Sequence, residues 1–83
     1  MITEYKSNNG INYIIDISDI SENICIFSED EDSIGMDYKT SVTINMIRNN
    51  NYLWDQLFRG DGWVLPIDLK EYMEKYIKLK GFW

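Results

Sequence analysis

Apolar and polar residues alternate along Ile2-Thr3-Glu4-Tyr5-Lys6, the period of a half-buried strand. Ser7-Asn8-Asn9-Gly10 follows, and its Asn-Gly pair is a strong short hairpin signal because both residues tolerate positive φ. The returning strand is Ile11 to Ile17, with Ile11, Tyr13, Ile15 and Ile17 on one face and Asn12, Ile14 and Asp16 on the other. A polar turn over Ser18 to Glu22 leads to a third strand, Asn23 to Ser28. Here Ile24 and Ile26 oppose Cys25 and Phe27, and apolar residues on both faces predict a central strand with one face under a helix.

Glu29 to Asp37 reads as an acidic loop. Tyr38 to Arg48 is rich in β-branched residues (Thr40, Val42, Thr43, Ile44, Ile47), which predicts a fourth strand. A helix over Val42 to Phe58 competes with that reading, but the Asn49-Asn50-Asn51 run argues for a break. Tyr52 to Phe58 then forms a short helix capped by Asn50 or Asn51. Gly60-Asp61-Gly62 is a turn.

The last element carries the clearest pattern. Pro66 suits a first helical turn, and Leu69, Tyr72, Met73, Tyr76 and Ile77 form an apolar stripe at helical spacing. Glu71–Lys75 and Glu74–Lys78 are favourably oriented i,i+4 pairs. Gly81 stands where a left-handed residue ends a helix, with Phe82 expected against Ile77 in a Schellman-type end. The fold class expected is α+β, one domain over residues 1–83. It is an antiparallel sheet of about four strands with a C-terminal helix on one face. No repeat, low-complexity tract or linker divides the chain.

Charge changes the picture more than composition does. The net charge is −6, with 14 acids against 8 bases. No base lies between Lys6 and Lys39, an interval holding Asp16, Asp19, Glu22, Glu29, Asp30, Glu31, Asp32 and Asp37. The chain is therefore expected to have one strongly negative end. Direct binding to duplex nucleic acid, which needs Lys and Arg against phosphates, fits poorly.

Candidate chemistry is sparse. The chain has no His and a single Cys, Cys25, so Ser–His and Cys–His catalysis are excluded. Cys25 is expected to be a small core residue. Counting Asp30 as position 1 of an EF-hand loop puts Asp32 at position 3 and Gly35 at position 6. Ile34 then occupies position 5, and Ser41 stands where a bidentate Glu belongs, so no metal is assigned. Gly60-Asp61-Gly62 lacks the Lys and Ser/Thr of a phosphate loop, and Arg59-Gly60-Asp61 is a chance tripeptide. Paired carboxylates could in principle do acid–base chemistry, but these lie in loops expected to be wet. No enzyme and no cofactor are expected.

What remains is binding. The acids could merely keep a loop soluble; their segregation favours a docking surface that imitates spaced phosphates. Trp63, beside the Gly-Asp-Gly turn, is the aromatic most suited to anchor an interface. The expected partner-binding residues are the eight acids just named together with Trp63. The expected function is a non-catalytic inhibitor occupying the basic, nucleic-acid-binding surface of a larger protein. Ile, Asn, Lys and Tyr supply 33 of the 83 residues and Ala none, a usage that goes with AT-rich codons. Phage or mobile-element antagonists of CRISPR nucleases or restriction enzymes are the setting this suggests. The alternatives are an immunity protein against a bacterial toxin and a small homodimeric structural or regulatory subunit. With no secretion signal, no apolar stretch near the ~20 residues of a membrane span and no cystine, the cytosol is the expected location, with no membrane partner.

Overall fold

A computed structural model of the chain describes residues 1–29, 35–59 and 65–81. Four antiparallel strands, β1 (Ile2–Lys6), β2 (Asn12–Ile17), β3 (Asn23–Glu29) and β4 (Asp37–Thr43), lie in the order β1-β2-β3-β4. Three helices follow: α1 (Ile44–Arg48), α2 (Tyr52–Arg59) and α3 (Ile67–Leu79). This is the α+β architecture expected.

The first turn is a hairpin of a different kind from the one the Asn-Gly pair suggests. Gly10 N–H donates to the Ser7 carbonyl (3.0 Å) and Ser7 N–H to the Ile11 carbonyl (3.0 Å). Gly10 (φ 88°) has positive φ and Asn9 does not, whereas the two-residue type I′ turn of an Asn-Gly pair needs it at both. Asn9 contributes its side chain instead, Oδ1 accepting from Ile11 N–H at 2.9 Å.

The strand expected over Tyr38 to Arg48 ends early. The Thr43 hydroxyl accepts the Met46 N–H (3.2 Å), capping α1, so Ile44 and Ile47 lie one helical turn apart and are both buried. Burying that pair against the sheet overrides their β-propensity. Asn50 (φ 49°) makes the break, and the Asn51 side chain accepts Leu53 N–H at 2.8 Å, capping α2. An extra residue, Lys39, sits in β4, because Ile26 pairs with Thr40 and Phe27 with Tyr38.

All three helices pack on one face of the sheet. Tyr13, Ile15, Ile17, Ile24, Ile26 and Val42 from the strands meet Ile44, Ile47, Trp54, Phe58, Leu65, Leu69, Met73 and Ile77 in a single core. Trp54 is fully buried, edge-on to Phe58, with its indole N–H on Glu74 (3.2 Å). Glu74 pairs with Lys70 (3.0 Å) rather than Lys78. The helix α3 ends with Lys80 N–H on the Tyr76 carbonyl, Gly81 N–H on that of Lys78, and Gly81 at φ 84°. Phe82, its expected contact with Ile77, and the Gly60–Gly62 turn lie outside the described residues.

Asp68, in the first turn of α3, joins that helix to the first hairpin. Its carboxylate accepts from the Tyr5 hydroxyl (2.9 Å), the Ser7 hydroxyl (2.8 Å) and the Asn8 N–H (2.9 Å). Burial pushes this carboxyl up. The Asn8, Ser7 and Tyr5 donors, which bond its ionised form, outweigh burial and hold it below the ordinary carboxylate range. The folded state prefers the ionised form, so the stabilisation is present above the unfolded-state pKa and is lost as pH falls through the depressed one. Asp68→Asn is expected to cost about 1–2 kcal/mol at neutral pH. The gap between wild type and variant in urea unfolding should close as the solution is acidified below about pH 4. A gap constant with pH would mean that the ionised carboxylate is not what fastens the hairpin.

Candidate protein-binding face

A strand sends alternate side chains to opposite faces, so the pairing register fixes what the uncovered side of the sheet displays. Ile2 lies opposite Asp16, which lies opposite Cys25 and through it Ser41. In the next row Glu4 faces Ile14, Ile14 faces Phe27 and Phe27 faces Tyr38. Lys6, Asn12 and Glu29 form the third row. No described helix covers these residues.

The middle row is apolar. Phe27 and Tyr38 meet edge to face at 5.8 Å, and Tyr38 remains 58% exposed. Ile14 is buried yet belongs to no part of the helix-covered core. Ile2, at the rim, is 65% exposed. Around this strip stand Glu4, Asp16 and Glu29, and none of the three forms an ion pair among the described residues. An apolar centre with a charged rim is the anatomy of a protein–protein interface.

Five of the acids singled out from sequence are among the described residues, and the fold disperses them. Asp16 lies within the open face. Asp19 and Glu22 sit in the β2–β3 turn, and Glu22 takes positive φ (57°) with its carboxylate 3.8 Å from Arg48. Glu29 and Asp37 sit at the opposite end, where β3 leaves the sheet and β4 enters it. Six or seven residues of strand put roughly 20 Å between these ends. Among the described residues, the expected single negative end is thus corrected to acids at both ends of the sheet, joined by a face carrying Glu4 and Asp16. The cause is topological: successive hairpins in a meander turn at alternate ends. Asp30, Glu31, Asp32 and Trp63, and with them most of the acidic loop, lie outside the described residues.

Cys25 is also corrected. Its register with Asp16 sets it half-buried on the open face, outside the core. Two residues of this surface escape the sequence reading. Glu4 was within reach, since β1 alternation puts it beside Ile14 once the first hairpin is paired. Ile20, 97% exposed at the tip of the β2–β3 turn, carries no periodic signal. Among the described residues no group of three or more Cys, Asp or Glu side chains is placed to hold a metal ion, and no helix is long and apolar enough to cross a membrane.

No protein-family model matches this chain, and no curated protein or solved structure matches it either.

Adjacent residues on the two faces give a direct check of this geometry. Ile26→Ala, in the covered core, is expected to cost about 2–5 kcal/mol. Phe27→Ala, although it removes a larger side chain, should cost less than half as much in the same denaturant titration. Equal costs would show that the second face is also covered.

Proposed function

We propose that this chain is a non-catalytic binding protein that sets the open face of its sheet against a basic, nucleic-acid-binding surface of a larger protein. One observation carries the reading: an apolar row, Ile14-Phe27-Tyr38, on the side of the sheet that no described helix covers, bordered by carboxylates that form no ion pair among the described residues. The strip supplies buried area, and Asp16 and Glu29 take the Arg and Lys contacts that phosphates would otherwise make. The acidic turn at Asp19 and the strand end at Asp37 extend the negative field beyond the contact, which speeds encounter with a cationic groove. Antagonism of a CRISPR nuclease or a restriction enzyme, in a phage or mobile element, is the setting this reading favours.

The test is competition with DNA. Purified CRISPR effectors, restriction enzymes and nuclease toxins are incubated with the protein, and displacement of labelled duplex DNA is followed at increasing salt. The expected result is displacement from at least one of them, weakening as salt rises. Asp16→Lys combined with Glu29→Lys should reduce that affinity at least about tenfold, and Phe27→Ala should also weaken it. Displacement that ignores both salt and charge reversal overturns the reading, as does failure to displace DNA from any of them.

A further inference from the structure

Among the described residues no strand pairs with the outer edge of β1, and that edge lacks the interruption found in β4. Met1 and Ile17 exchange both main-chain hydrogen bonds (2.7 and 2.9 Å), and Ser7 N–H bonds the Ile11 carbonyl. Hydrogen-bonded pairs alternate along an antiparallel ladder, so Thr3 and Tyr5 also bond β2. The N–H and C=O groups of Ile2, Glu4 and Lys6 therefore point outward, away from the sheet. At the other edge, the extra residue Lys39 interrupts β4, a device that blunts strand pairing.

We propose that a second copy of this chain occupies the β1 edge, pairing antiparallel to give a continuous eight-stranded sheet. The sequence of the edge selects the register. A two-fold axis at Glu4 would place two carboxylates opposite each other, and one at Thr3 would set Ile2 against Glu4. An axis at Tyr5 places Glu4 of each copy opposite Lys6 of the other, two opposite-charge pairs made by one symmetry operation. In that register the outward groups of Glu4 meet those of Lys6 in the second copy. The Glu4 carbonyl, which already lies 3.5 Å from the Tyr72 hydroxyl, has a second lone pair for the new bond.

The layer beneath is compatible. Tyr72 stacks on Tyr5 (4.5 Å) and bonds Thr3, while Met73 and Ile77 share a groove with Ile15 and Ile17, so α3 runs under β1 and β2. Adding a strand spacing across the seam puts the two α3 helices about 10 Å apart, a normal packing distance. Their facing flanks carry half-buried Tyr72 and Tyr76 and exposed Leu79. The helices run antiparallel, so the end bearing Asp68 and Glu71 approaches the end bearing Lys75 in the other copy. This inference is independent of what the open face binds.

Sedimentation velocity from micromolar to millimolar protein tests it. Wild type is expected to shift from one chain to two as concentration rises. Glu4→Pro removes an outward N–H together with the carboxylate and leaves the bonds from β1 to β2 in place, so it should keep the fold, checked by circular dichroism, and sediment as a monomer. Glu4→Lys should raise the dimer dissociation constant at least about tenfold, and adding Lys6→Glu should restore it. The proposal is overturned by a wild type that stays monomeric throughout, by a dimer indifferent to Glu4→Lys, or by a double variant that stays monomeric.

Discussion

Three short helices can cover one face of a four-stranded sheet, and in this chain they cover only one. The apolar stripe of α3, the Trp54–Phe58 pair of α2 and the Ile44–Ile47 pair of α1 all converge on the side defined by Ile15, Ile17, Ile24 and Ile26. The side bearing Ile14, Phe27 and Tyr38 is covered by none of the described helices. On that side Glu4, Asp16 and Glu29 form no ion pair among the described residues, a consequence of helices and their bases lying on the other.

Much of this architecture is written locally. The alternation in Ile2–Lys6 and Asn23–Ser28, the stripe from Leu69 to Ile77, the Asn run before α2 and the glycine after α3 each state their element in a few residues. The α1 helix is not so written. Ile44 and Ile47 are as suitable for a strand as for a helix, and only the Thr43 cap and burial against the sheet decide. Cys25 illustrates the same limit, because a strand with apolar residues on both faces does not say which face the helices take.

The segregation of charge is legible in the sequence, and its arrangement in space is not. Charge segregation along the chain is a one-dimensional fact, and a meander folds such a run back and forth, sending Asp19 and Glu29 to opposite ends of the sheet. Asp68 went unnoticed for a related reason: nothing near it in sequence distinguishes it from Glu71 or Glu74. Its meaning comes from Tyr5, Ser7 and Asn8, which only the closed fold brings to it.

That closure joins residues more than sixty positions apart. On the ribosome the first hairpin leaves the exit tunnel well before the segment carrying its carboxylate clasp has been translated. For that interval Ser7, buried in the finished molecule, stands in water, and β1 has no helix beneath it. A nascent chain in this state is at its most vulnerable to pairing with a neighbour's strand, and the arrival of α3 ends the exposure.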